Sequence, residues 1–251
     1  MITIQGFTNT FKFINMFLEG TVCTVILSAL TVLFGFVFAL LLATMRLSDF
    51  RLFHFKEAQS GLLQGLNKFR PLSFLASIYV EIFRATPMVV QLFIVYYVLL
   101  GDISLPAYKL FGFIRFERLI PGVIALSLNS AAYLSEIIRS GIQSIDHGQT
   151  EAARSLGMSQ WQNMRYIVLP QAIKNILPAI ANEFVTIIKE SSICFTIGVQ
   201  EIMSAVKSSQ MAAFAIAEPL LVAAAIYFCL TFPTSKIIEH FERKMSRGDK
   251  R

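Results

Sequence analysis

The stretch EAARSLGMSQWQNMRYIVLP, residues 151–170, decides how this chain is interpreted. It begins Glu-Ala-Ala, reaches Gly157 after three further residues, and reaches Ile167 and Leu169-Pro170 after nine more. The stretch is polar, yet it lies between two strongly apolar segments. A polar, helix-forming loop in that setting predicts a cytoplasmic surface on which another protein docks.

The composition is that of a membrane protein. The chain has 251 residues, of which 55% are hydrophobic and only 15% are charged, and its mean hydropathy is +0.62. Soluble domains are usually about a quarter charged. The net charge of +6 does not indicate a nucleic-acid partner, because the basic residues lie at the ends of apolar runs, as membrane topology requires.

The apolar runs predict an all-α integral membrane protein with five transmembrane helices in a single domain, residues 1–251. The spans are predicted at 20–45, 71–100, 119–138, 172–199 and 214–238. Thr86-Pro87 should kink or unwind the second span and free backbone groups to line a cavity. Lysine and arginine are concentrated after the first span, after the third span and in the C-terminal tail. This bias predicts an external N-terminus, a cytoplasmic C-terminus and a cytoplasmic loop at 146–170.

Capping signals divide this loop into two helices. Asp146 is a favourable N-cap for the first helix, and Gly157 can supply the positive φ that ends it. Ser159 and Gln162 have the spacing of a capping box that opens a second helix. Pro170 then fits the first turn of the fourth span.

The loop and three further stretches resemble the membrane permease subunits of ABC importers, in the polar amino-acid uptake family that includes histidine, glutamine, arginine and cystine permeases. The stretches are EIFRATPMVVQLFIVYY (81–97), SLNSAAYLSEIIRSGI (127–142) and EFVTIIKESSICFTIGVQEI (183–202). The resemblance implies a type I importer fold with a cytoplasmic coupling helix, in the bacterial plasma (inner) membrane. In that family the Glu-Ala-Ala helix inserts into a groove of the ATPase subunit. By match, Glu151, Ala152, Ala153 and Gly157 would be the coupling residues.

The resemblance also implies the partners. The sequence contains no G-x-x-x-x-G-K-[ST] phosphate-binding loop, so a separate ATPase subunit dimer is expected to bind ATP-Mg. A second permease subunit, identical or related, and an extracytoplasmic solute-binding protein are expected as well. The chain itself is expected to be a transport subunit and not an enzyme. Its three cysteines and three histidines are too scattered to indicate a metal site, and no cofactor is expected in it.

Polar residues at membrane depth are the candidates for the solute path, because ionisable groups there are expensive and normally face a pathway or a partner. The candidates are Glu81, Arg84, Asn129, Ser130, Tyr133, Glu190 and Ser191. Glu81 and Arg84 are three residues apart on one helix face, so they could brace the fold as an ion pair or contact the solute or a gate. Asn129, Ser130 and Tyr133 form, together with Glu136, a polar stripe that could contact solute or join helix to helix. Glu190 and Ser191 resemble positions that face the pathway in relatives with a membrane-embedded solute site. There, the Glu190 carboxylate could pair with a substrate ammonium group.

Three other functions are alternatives to this one. An ion-coupled secondary transporter predicts paired inverted repeats, which the sequence does not show, and it leaves the Glu-Ala-Ala spacing unexplained. A membrane-embedded enzyme needs a nucleophile-base or metal constellation in its spans, and none is visible. An importer permease for another small solute stays open as the alternative.

Overall fold

The computed structural model describes residues 2–51 and 69–246, whose regular elements are helices and one short hairpin. The helices in chain order are α1 (Ile4–Phe11), α2 (Ile14–Leu47), α3 (Pro71–Ala85), α4 (Met88–Phe93), α5 (Phe116–Gln143), α6 (His147–Ser155), α7 (Gln160–Asn163), α8 (Leu169–Glu190), α9 (Ile202–Ala213) and α10 (Ala217–Ser246). The antiparallel hairpin consists of β1 (Lys109–Leu110) and β2 (Ile114–Arg115). Two π-helical turns, Ile94–Leu99 and Met164–Val168, and a 3₁₀ turn, Ser191–Ile197, extend the neighbouring helices.

The prediction of a helical membrane protein is confirmed, whereas the count of five spans is not. Within the described residues, α2, α5 and most of α10 are long and apolar enough to cross a bilayer, and the α3–α4 pair makes a fourth if it is one span. Helix α8 has 22 residues, which is long enough. It carries four charges, on Lys174, Glu183, Lys189 and Glu190, which lower its hydropathy. The fifth span therefore stays a prediction.

The span predicted at 71–100 is sharply broken. Helix α3 ends at Ala85, and the chain bends by 108° before the second half, Met88–Leu99. Thr86 and Pro87 have extended backbone, with ψ of 145° and 137°. Proline lacks the N–H that a continuing helix would need. The predicted interruption at Thr86-Pro87 is confirmed, and residues 86–87 are called the break below.

Helices α2 and α5 form the centre of the molecule and pack closely along their length. A β-carbon placed on Gly35 would lie 3.3 Å from both the Ser127 carbonyl oxygen and the Ser130 side chain. Small residues at helix contacts allow such approach within a membrane, where apolar burial gives little drive for association. The Ser127 hydroxyl also donates to the Thr31 carbonyl oxygen over 3.3 Å.

The buried apolar residues form three clusters along this axis. One, which includes Cys23, Leu27 and Leu126, lies at the hairpin end of α5. A second, which includes Ala39, Leu134 and Ile176, lies toward the opposite end and joins α8. The third, which includes Phe17 and Ile202, joins α9 and α10 to the start of α2.

The ends of the elements differ from the predicted boundaries. Helix α2 begins at Ile14, six residues before the predicted start at position 20. The fifth predicted span, 214–238, corresponds to α10, and the shorter helix α9 lies just before it in the chain. Helix α1 was not predicted. The Thr3 backbone N–H, just before α1, donates to the buried Glu218 carboxylate over 2.9 Å. Most of the basic stretch between α2 and α3, and the tail after Ser246, lie outside the described residues.

Candidate functional site

The 146–170 loop contains the two capped helices that its sequence predicts. The Asp146 side chain accepts the Gly148 N–H over 2.6 Å and starts α6. At the other end, Gly157 has φ of 81°. Its N–H donates to the Arg154 carbonyl over 2.9 Å, and the Met158 N–H donates to the Ala153 carbonyl over 3.1 Å. This pair of bonds is a Schellman motif, for which glycine is favoured because positive φ costs it little.

The second helix of the loop continues directly into α8. Ser159 and Gln162 form the predicted capping box, with bonds of 2.8 and 3.3 Å. Pro170 cannot donate to the preceding turn, and the Leu169 N–H reaches back five residues to the Met164 carbonyl. The resulting π-helical turn joins α7 to α8 without a loop. The helix therefore runs from α7 into α8 without interruption.

Helix α6 is fixed on one side and open on the other. Ala153 is buried, while Glu151 and Ala152 are exposed. The Asn163 amide donates to the Thr150 hydroxyl over 3.2 Å and ties α7 to α6. Leu156 is 83% exposed, the most exposed large apolar side chain of this loop. An exposed Leu156 was not among the predicted coupling residues, although a leucine just before the capping glycine of a polar helix could have indicated it.

Two buried amide side chains occupy the break between α3 and α4. The Gln91 amide nitrogen donates to the Phe83 and Thr86 carbonyls and to the Thr86 hydroxyl, over 2.7 to 3.0 Å. The Asn129 amide nitrogen donates to the Gln91 side-chain oxygen over 2.8 Å and to the Phe83 carbonyl over 3.3 Å. Asn129 and Gln91 are 6% and 7% exposed. Asn129 thus joins α5 to the break.

Of the two alternatives for Glu81 and Arg84, the ion pair between them is not formed, and both side chains are exposed. Instead, the Arg84 guanidinium lies over the Tyr133 ring, 5.6 Å from its centroid, because α5 brings this ring against the last turn of α3. A cation over an aromatic face is attracted by the ring quadrupole. Tyr133 keeps 38% of its surface exposed, so the pair faces outward from the helices that hold it.

The end of α8 borders a cavity of 580 Å³. Lys189, Glu190 and Tyr227 are its charged and aromatic polar side chains, and Met88 and Met203 are among its apolar ones. Lys189 and Glu190 are exposed. An open cavity that offers a cation beside a carboxylate matches a small zwitterion in charge.

The other candidate path residues are buried within the subunit. Ser191 is fully buried and donates to the Ile188 carbonyl over 2.8 Å. Ser130 is 2% exposed and donates to the Glu183 carboxylate over 3.3 Å. The seven predicted path residues thus divide into exposed ones (Glu81, Arg84, Tyr133 and Glu190) and buried ones (Asn129, Ser130 and Ser191). Solute contact stays a prediction for all of them.

A charged cluster around Glu136, the last member of the predicted polar stripe, lies at the loop end of α5. The Glu136 carboxylate accepts hydrogen bonds from Arg46 of α2 and from Arg139, and Arg139 also donates to Gln143. The spacing of Glu136 and Arg139 indicates their ion pair. The contribution of Arg46, 90 residues earlier, requires the packing of α2 on α5. The cluster ties these two helices together beside the 146–170 loop.

Comparison with known proteins places these features in a family. A family model described as "Binding-protein-dependent transport system inner membrane component" matches residues 60–247. The chain is 37% identical over 243 residues to the arginine transport system permease protein ArtQ of Bacillus subtilis, covering 97% of this chain and 98% of the relative. It is 36% identical over 227 residues to a putative glutamine transport system permease protein GlnP of Rickettsia conorii, covering 90% of this chain and 91% of the relative. A solved structure described as an amino acid ABC transporter with histidines matches with a TM-score of 0.80 at 36% identity. That match covers 97% of this chain and 100% of the other.

Proposed function

The chain belongs to the family of binding-protein-dependent transport system inner membrane components, and on that premise we propose that it is the membrane subunit of an ATP-driven amino-acid importer. Its 146–170 loop would receive the motion of a separate ATPase subunit. The two relatives are named as permeases of arginine and glutamine transport systems, which supports an amino acid as the solute. Both solutes are polar, and the choice among polar or charged amino acids stays open.

The coupling proposal rests on the structure of the 146–170 loop. Helix α6 exposes Glu151 and Ala152, Leu156 is exposed at its C-cap, and a Schellman turn at Gly157 fixes the direction of the chain. Small residues let another backbone approach closely, and a preformed surface lowers the entropy cost of docking. The continuous helix from α7 into α8 then provides a rigid route toward the membrane-embedded cavity.

In the proposed mechanism, an ATPase subunit dimer that holds ATP-Mg closes and moves α6 as a rigid lever. Since α7 is tied to α6 through Asn163 and Thr150 and runs directly into α8, the same motion displaces the end of α8. That end carries Lys189 and Glu190 at the cavity. The displacement would alternate access to the cavity between the two sides of the membrane.

The exposed polar residues would form the solute path. An amino-acid zwitterion could place its ammonium group against the Glu190 carboxylate and its own carboxylate against a cation. Lys189 lies beside Glu190 at the cavity, and Arg84 lies over Tyr133 at the end of α3. Charges kept at membrane depth despite their cost support a role in the path.

A complete importer needs further subunits. A second permease subunit, a copy of this chain or a relative of it, would close the path on its open side. An extracytoplasmic solute-binding protein would deliver the amino acid. The subunit would lie in the bacterial plasma membrane with its N-terminus outside and its C-terminus in the cytoplasm. Helix α5 has 28 residues and a length of about 42 Å, so its two ends, at the hairpin and at the 146–170 loop, would lie on opposite sides of the membrane.

A site-specific cross-link tests the docking surface. A photoreactive residue at position 156 should capture the ATPase subunit in membranes, because Leu156 lies 83% exposed on the proposed coupling helix. The matched control is position 111, where Phe111 is 75% exposed on the hairpin at the other end of α5. We expect no ATPase adduct there. ATPase capture from position 111, or its absence at position 156, would contradict the proposed docking.

A further inference from the structure

Gln91 and Asn129 form a pair of buried amides at the break, here called the amide clamp. Between them they make five hydrogen bonds, four to the chain around the break and one between the two side chains. Both residues are more than nine-tenths buried. They come from different elements, since Gln91 lies on α4 and Asn129 on α5.

The break creates the need for this clamp. Extended backbone at Thr86 and Pro87 removes the hydrogen bonds that the carbonyls of the last turn of α3 would receive in a continuous helix. A carbonyl without a partner at membrane depth is strongly unfavourable, because no water is there to replace the lost hydrogen bond. The Phe83 carbonyl instead receives both amides, and the Thr86 carbonyl receives the Gln91 amide. The clamp thus replaces helix hydrogen bonds at the bend.

The clamp is bonded to the turn that carries Arg84. Phe83, which accepts both amides, directly precedes Arg84 in the chain. On α5, Asn129 and Tyr133 are four residues apart and so share a face. Two contacts hold the end of α3 to that face of α5. The Asn129 amide donates to the Phe83 carbonyl, and the Arg84 guanidinium lies over the Tyr133 ring.

From this geometry we infer that Gln91 and Asn129 are positioning residues that hold the Arg84 guanidinium over Tyr133, where it receives the carboxylate of the transported amino acid. The inference rests on the proposed function, since it gives the clamp a role in that solute path. It also separates Asn129 from the residues that touch solute. The Asn129 amide nitrogen already donates twice inside the protein, and its side chain is buried.

The test uses this chain in complex with its ATPase subunit and binding protein, reconstituted in liposomes. The readout is the number of amino-acid molecules moved per ATP hydrolysed, per assembled complex. Gln91→Leu removes three donated bonds at similar volume and should lower this ratio roughly tenfold, the effect of one unsatisfied buried acceptor. Loss of folded protein alone would reduce transport and hydrolysis together and leave their ratio unchanged. Arg84→Ala should lower the ratio as well, and Gln91→Leu added to Arg84→Ala should lower it no further.

Gln210→Leu is the matched control, because the Gln210 amide donates to the Ile216 carbonyl over 2.8 Å between α9 and α10, away from the break and from the 146–170 loop, and the ratio should stay unchanged. If the complex with Gln91→Leu does not assemble, the milder substitutions Thr86→Val and Thr86→Ser take its place in the test. Valine removes one acceptor of the Gln91 amide and should lower the ratio, whereas serine keeps the hydroxyl and should restore it. A normal ratio in the Gln91→Leu and Thr86→Val variants, or a double variant whose ratio falls below that of Arg84→Ala alone, would overturn the inference. A wild-type complex that moves no amino acid would instead overturn the proposed function.

Discussion

Replacing Gly157 with aspartate should abolish amino-acid uptake while the chain still inserts and folds. No atom lies within 4 Å of a β-carbon built at this position, so the subunit has room for the side chain. The backbone has φ of 81°, where a non-glycine residue costs about 1–2 kcal/mol. The new carboxylate would project beside the exposed face of α6, and the strained turn would redirect α6 relative to α7. Misplacement of a coupled surface on the scale of 1 Å can cost on the order of a hundredfold in rate, which is the loss we expect.

Gly112→Asp is the matched control for this substitution. Gly112 has φ of 80° and also has no atom within 4 Å of a built β-carbon. It lies on the hairpin, at the end of α5 away from the 146–170 loop. Co-purification of the ATPase subunit should be lost with Gly157→Asp and kept with Gly112→Asp. Normal uptake by the Gly157 variant would refute coupling through this loop.

The second large effect is expected from Glu190→Gln. Glutamine keeps the size of the side chain and removes its charge, so packing at the end of α8 should be retained. The Glu190 carboxylate borders the 580 Å³ cavity beside Lys189, where it can pair with an ammonium group. A hydrogen bond to a charged group contributes about 1.5–3 kcal/mol, so transport per ATP should fall by roughly ten- to hundredfold.

Assembly separates this effect from damage to the fold. The Glu190 variant should co-purify with the ATPase subunit in normal amount, measured beside its transport. Glu239→Gln serves as control, because Glu239 is an exposed carboxylate that pairs with Lys236 and Arg243 on the surface of α10. Such surface pairs contribute little to stability, and transport should be unchanged. Unaltered transport kinetics in the Glu190 variant would remove that residue from the solute site.

Local features of the structure were predictable from the sequence because their causes lie within a few residues. Gly157 ends α6, the Ser159–Gln162 capping box opens α7, and Pro87 breaks the second span. In each case a capping side chain or a backbone restriction acts on its own neighbours. The apolar runs likewise identified the membrane helices, although the charges of α8 leave the fifth span unconfirmed.

The contacts that define the candidate site could not be predicted, because they depend on how helices pack. Glu81 and Arg84 have the spacing of an ion pair, yet the Tyr133 ring from α5 receives the guanidinium. Asn129 looked available to a solute on its own helix face. Its partner, Gln91, is 38 residues away, and only the bend brings the two together. Spacing along one helix gives no information about a second helix.

Gentle purification of this chain from its native membranes tests the central claim most directly. The proteins that accompany it in stoichiometric amount would be identified. The proposed function predicts an ATPase subunit, and the presence or absence of a second permease subunit would distinguish a heterodimer from a homodimer. A chain that is stable alone and moves its solute on an ion gradient would contradict the account.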